Sequence, residues 1–387
     1  MGPGPARLGS LAPMSESRRV RSKVAEGREF VVLIAVSMSM TAFSIDLMLP
    51  AFPDMREDFG MAPGSAKVSW IITAFFFGMA VGPLLYGPAS DRFGRRRPYY
   101  VGLVLYTVSA VAAALAPSFG LVVIARFCWG LGAAGSRTLA MAVVRDRYEG
   151  DAMARLMSLM MAIFLLVPIL APSIGAGLNA IAPWRILFWL PAVCACGLML
   201  WARRLPETLP PERRRPFTVS ALWTAFREVG TNRTTLGFVG AMTLLMGGVN
   251  GYLTTSELIL DGVYGYERYF PLFFGAVGVM LALSSLNNAR IVARLGISGV
   301  VRRMSVASFV VAVAFLAVSL GTSGHPNFWV FTAMVMILLP LVQGLVPNCN
   351  TAAMLPLAHV AGTAAAVTAS VSMAGSALLG GLIAGAF

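Results

Sequence analysis

Residues 67–97 read KVSWIITAFFFGMAVGPLLYGPASDRFGRRR. Between Lys67 and Asp91 lie 23 residues without a charge. About 20 such residues, wound as a helix, cross the hydrocarbon core of a bilayer. A surface helix of a soluble protein would show a polar stripe, and here aromatic and aliphatic residues occupy every face. Asp91, Arg92, Arg95, Arg96 and Arg97 then arrive together, as expected where a chain leaves lipid on a basic side.

The rest of the chain repeats this pattern. Its 387 residues are 57% hydrophobic and 12% charged, with mean hydropathy +0.76. A soluble domain carries about 25% charged residues, so this composition offers too little polar surface to face water. Eleven spans are predicted, at 28–50, 67–90, 98–117, 119–145, 152–180, 183–204, 233–256, 268–294, 302–322, 327–353 and 362–386. The fold class is an all-α membrane bundle. The first run is too long for a signal-peptide core and follows a basic segment.

The net charge of +13 does not indicate nucleic acid, because the basic residues sit in short clusters between apolar runs. With the N-terminus inside, 24 of the 30 Lys and Arg fall in the tail, the even-to-odd loops and the central loop. Arg56, Lys67, Arg185 and Arg268 fall outside, and Arg126 and Arg137 within a span. This asymmetry predicts a multi-pass inner-membrane protein with a cytoplasmic N-terminus. Residues 1–27 read as a disordered basic tail, 28–204 as a six-helix half, 205–232 as a Pro- and Arg-rich cytoplasmic linker, and 233–387 as a second half of five helices. An odd count suggests that a twelfth helix is missing.

Gly87, Asp91, Gly94 and the arginines of that first loop carry more than basic charge. Gly87 is expected to let another helix approach closely. Asp91 can cap or pair at a neighbouring helix N-terminus. The pattern resembles the loop 2–3 signature of the major facilitator superfamily. Further segments align with it: Ser44-Ile45-Asp46-Leu47-Met48-Leu49-Pro50-Ala51-Phe52-Pro53; Arg126-Phe127-Cys128-Trp129-Gly130-Leu131-Gly132; Arg145-Asp146; Leu260-Asp261-Gly262-Val263-Tyr264-Gly265; and Leu286-Asn287-Asn288-Ala289-Arg290 with Arg294 and Gly296. Together these resemble the Bcr/CflA group of drug:proton antiporters over most of residues 30–380. The resemblance implies two six-helix halves, proton-driven efflux of drug-like molecules, and a conformational latch at Gly87, Asp91, Arg92, Gly94, Arg95 and Asp146. It is imperfect. Trp129 stands where the group usually has Gln. Ala171-Pro172-Ser173-Ile174-Gly175-Ala176 replaces G-P-x-x-G-G, and Glu257 stands where the group often has an apolar residue or Pro.

Asp46 and Arg126 are the expected proton-coupling pair. A carboxylate at membrane depth costs at least about 2.5–3.5 kcal/mol, and loss of water favours the neutral acid, so reversible protonation is feasible. Arg126 is permanently charged and lies in the outer half of its span, as Asp46 does. The competing readings are an interfacial acid and a snorkelling arginine. Glu257, with Tyr252 and Asn250, is a candidate for substrate binding; it could select cationic cargo, carry a second proton, or be an interfacial acid. Pro168, Pro172 and Gly175 form a kinked segment to which the resemblance assigns exchange without leak.

Other patterns lead nowhere catalytic. Gly130, Gly132 and Gly135 match G-x-G-x-x-G, but no strand precedes them, so they read as a helix-packing face. Cys128, Cys194, Cys196 and Cys349 read as small buried hydrophobes. His325 and His359 are assigned to outer loops. The 22 methionines suit an adaptable pocket or lipid-facing filler. There is no nucleophile–base set and no metal spacing, so neither an enzyme, a cofactor nor a metal is expected. The expected partners are a small drug-like substrate, protons and the bilayer, for a monomer without nucleic acid. The rival functions are export of one specific metabolite and a non-transporting receptor or scaffold.

Overall fold

The computed structural model describes residues 28–148, 150–214, 219–266 and 269–386. The predicted tail at 1–27 and Arg268 lie outside them. Helices α1 (Arg28–Asp46), α2 (Phe52–Asp58), α3 (Trp70–Phe93), α4 (Arg96–Leu115), α5 (Phe119–Arg147), α6 (Gly150–Asn179) and α7 (Ile186–Trp201) come first. Then follow α8 (Val219–Thr231), α9 (Arg233–Leu258), α10 (Phe270–Gly321), α11 (Phe328–Met354) and α12 (Ala361–Ala386). Among the described residues nine helical stretches are long and apolar enough to cross a membrane. One of them, α10, covers two predicted spans, and α6 covers the span predicted at 152–180, so each of the eleven predicted spans coincides with helix.

Local chemistry sets the helix ends. Asn232 caps α9, its side chain accepting from the Thr235 N–H at 3.0 Å, and Asn327 caps α11 through the Trp329 N–H at 2.9 Å. Such caps satisfy N–H groups that the helix itself leaves free. The long α10 is broken at Gly296, whose φ of 67° no helical residue adopts. The break falls between the spans predicted at 268–294 and 302–322. The linker is not featureless: α8 lies within 205–232, and its Ala225 and Val229 pack on Leu357, Ala364 and Val367.

The helices sort by contact into two groups. In the amino-terminal group α5 packs against α3 and α4, and α1 against α6; in the carboxy-terminal group α9 packs on α11 and α12, and α10 on α11. The seam between them is carried mainly by α3 against α12 and by α6 against α10. The α3–α5 contact is the tightest, for a visible reason. A Cβ at Gly130 would collide with the Phe75 carbonyl, and one at Gly78 with that of Phe127. Gly132 and Gly135 sit as closely on Tyr106 and Tyr86. The glycine pattern therefore serves backbone approach.

Three expectations are corrected here. Gly87 brings no helix close, since a Cβ there would meet nothing within 4 Å. Cys194 and Cys196 are exposed, while Cys349 is buried and Cys128 intermediate. His359 was assigned to the opposite end of the bundle from Asp91. Its neighbour Leu357 packs with α8 and Leu84, at the Asp91 end of α3. The His359 side chain itself lies outside the described residues.

Candidate functional site

Three groupings of charge interrupt the apolar bundle. The first surrounds Asp46, the last residue of α1. Asp46 is 5% exposed and makes no ion pair or hydrogen bond among the described residues. Arg126 of α5 is fully buried nearby, but it does not reach the carboxylate. Its Nη1 donates to the Ser44 carbonyl at 3.2 Å and its Nε to the Ile71 carbonyl at 3.2 Å. Its guanidinium lies 4.4 Å from the Phe75 ring centroid and 4.6 Å from that of Trp129. The expected ion pair is therefore replaced by backbone carbonyls and aromatic faces, both of which suit a desolvated cation. Arg126 Nη2 finds no partner among the described residues. Ser44, two residues before Asp46, shares a 2.5 Å hydrogen bond with Tyr106. Trp129, at the position that departs from the family pattern, meets Phe75 and Tyr106 edge to face and Phe188 at a tilt.

The kinked segment of α6 meets the same place. Gly175 lies against the Leu47 carbonyl so closely that a Cβ would overlap it. Pro168 and Pro172 lie within α6, leaving carbonyls without their usual donors. Arg137 is separate. It carries its guanidinium 5.9 Å over Phe164 of α6 and makes no ion pair among the described residues.

The second grouping is the loop after α3. Arg95 Nη1 donates to Asp91 and to Ser90 Oγ, each at 2.6 Å, while its Nε donates to Asp146 at 2.8 Å. Burial works against the charge on Arg95, yet the hydrogen bonds and charges of Asp146 and Asp91 outweigh it and raise its pKa. Asp91 pairs with Arg95 at the N-terminus of α4, while a linker residue accepts the free N–H groups there. Glu207 accepts from the N–H groups of Arg95 at 2.8 Å, Arg96 at 3.2 Å and Leu209 at 3.0 Å. Gly94, with φ 86°, makes room for it, since a Cβ there would strike the Glu207 carboxylate. Thr208 also donates to Asp146 at 3.0 Å. Arg92 stacks on Phe93 at 5.1 Å instead of joining the network.

The third grouping was not anticipated. Glu257, proposed for cargo, is held by Arg56 in a two-pronged ion pair at 3.0 and 2.6 Å. Their side chains are 6% and 5% exposed. Asn250 points elsewhere, donating to Ser376 of α12 at 3.1 Å. Tyr252 packs among apolar side chains of both helix groups. The three candidate cargo residues therefore do not converge. The Arg56 half of the pair showed in the sequence only as an arginine among three acids, in Asp54-Met55-Arg56-Glu57-Asp58, just after the first span.

The fold, these motifs and the loop after α3 agree with the family comparison, which matches the Major Facilitator Superfamily over residues 33–380. The chain belongs to the major facilitator superfamily. Within it, this facilitator is similar to the bicyclomycin resistance protein homolog of Haemophilus influenzae, at 26% identity over 92% of this chain and 88% of that one. It is also similar to multidrug resistance protein D of Escherichia coli, at 29% identity over 61% and 57% of the two chains. Among solved structures the D-xylose-proton symporter superposes with TM-score 0.67 at 15% identity, covering 91% of this facilitator and 88% of that chain. That likeness supports the fold alone. The facilitator is a multi-pass membrane protein.

Proposed function

We propose that this facilitator exports small drug-like molecules in exchange for protons, by alternating access across the inner membrane. The observation that carries the reading is Asp46: a carboxylate buried among helices with no partner among the described residues, beside a buried arginine bonded to the backbone two residues away. A proton on Asp46 removes the cost of its charge, and its loss restores that cost, so occupancy biases which packing of the bundle is favoured. The relatives carry the names bicyclomycin resistance protein homolog and multidrug resistance protein D, which supports drug-like cargo. The clustering of Arg and Lys supports a cytoplasmic N-terminus. That orientation puts the Asp91 network inside and the Arg56–Glu257 pair outside. The two helix groups act as the halves that rock about a central site.

The test is efflux from proteoliposomes driven by a pH gradient. Asp46→Asn is expected to lose gradient-driven efflux by about 100-fold, the effect of removing a proton-transfer group. Wild-type proton-coupled rates in that variant would remove Asp46 from the mechanism. A wild type that exports one metabolite and no drugs would replace the cargo assignment.

A further inference from the structure

The short helix α2 is built as a peg. Two of its three acids point back into the amino-terminal helices: Asp54 accepts from Asn179 at the end of α6, and Asp58 accepts from Arg185 at 2.5 Å and from Trp184 Nε1 at 3.2 Å. Residues four apart share one face of a helix. Arg56 lies between them, on the other face, and reaches across the seam to Glu257 in the last turn of α9. Its Nε donates to the Ser65 carbonyl at 3.0 Å, which fixes the plane of the guanidinium for a two-pronged contact. Close by, the Ser69 hydroxyl donates to the Thr254 carbonyl at 2.7 Å, again across the seam. Beside the pair the seam opens into a cavity of about 400 Å³, with Pro50, Pro53 and Asn179 on one wall and Glu257, Phe270 and Pro271 on the other.

We infer that Arg56 and Glu257 are the outer gate of this transporter, positioning residues whose bond holds the two helix groups closed at that end. The inference rests on the alternating-access reading. Of the five ion pairs between described side chains, this is the one that joins the two helix groups. It is also the least exposed, so water does not compensate either partner when the other is removed. Outward opening must part the groups along the cavity seam, breaking the bond and hydrating both charges. Removing one charge strands the other in the closed form and thereby favours opening. Removing both leaves nothing to hydrate, and closure should return.

The experiment measures spin-label distances across the outer end. Labels go on Ala62→Cys and Thr322→Cys, both exposed positions, in a full-length background with Cys128, Cys194, Cys196 and Cys349 replaced by alanine. The parent should show a dominant short distance. Arg56→Gln and Glu257→Gln should each shift the open-to-closed ratio by about tenfold or more, and Arg56→Gln/Glu257→Gln should recover most of the short population. Arg56→Lys, which keeps the charge without the fork, gives a milder variant should the others fold poorly; its shift should be smaller and in the same direction. Unchanged distances in the single variants, or a double variant equal to the sum of the singles, would overturn the gate. Drug efflux by the labelled parent is measured alongside. Distances that shift as expected in the variants, with a parent that exports nothing, sink the antiport reading, whereas efflux by the parent with unmoved distances in the variants sinks only the gate.

Discussion

The two ends of the bundle hold their charges in different ways. At the Asp91 end, Arg95 serves two acids at once, but all the partners belong to the amino-terminal helices or to the first residues of the linker. Asp91 is half exposed and Asp146 19% exposed. At the Glu257 end one ion pair, almost wholly buried, crosses the seam, with the Ser69–Thr254 hydrogen bond beside it. The first arrangement ties a loop and a linker to one rigid group, and α8 carries that tie onward to α12. The second joins the groups directly. A charge cluster rich in sequence signals thus turns out to be local, and a pair with almost no sequence signal turns out to bridge the molecule.

That contrast can be broken most sharply at Glu257. Glu257→Ala leaves a buried guanidinium alone, and thermal unfolding in detergent should show a loss of about 3–5 kcal/mol. A loss below about 1 kcal/mol, the value of an exposed pair, would mean that the Glu257 end is as wet as the other. Arg95→Ala comes next. Its orphaned acids can rehydrate, so about 1–2 kcal/mol is expected. Salt sharpens the difference, because raising it from about 0.1 to 1 M shortens the screening length from about 10 to 3 Å. The Arg95 contribution should shrink under that change and the Glu257 contribution should not. Smallest is Gly87→Ala. With open space around it, this change should cost nothing and add about 0.5–1 kcal/mol through helix stiffening. A large loss would show that a partner closes on Gly87 in the other access state, which would return it to the latch.

The spans were legible because insertion into lipid is close to a sum over one stretch of chain. Residues 68–90 need no knowledge of their neighbours to be read as a crossing. The Asp91 loop was half legible: its acids and arginines lie within one turn of each other or at helix ends, but Glu207, which supports the loop, is 112 residues from Arg95. Asp46 and Arg126 stand out in the sequence as charges within apolar runs, and both are buried. Their separation was not readable, since it depends on Arg126 finding the Ser44 and Ile71 carbonyls and two aromatic rings in its path. The cargo residues failed for the same reason, as Asn250 and Glu257 turn to different neighbours once α9 is packed.

By itself, then, the sequence determined the solvent and the helices, because transfer energies and helix periodicity act along the chain. Tertiary structure alone decided which charges are satisfied. Arg56 and Glu257 lie 201 residues apart, and only the packing of α2 against the end of α9 brings a guanidinium and a carboxylate out of water together, where each is stable only while the other remains.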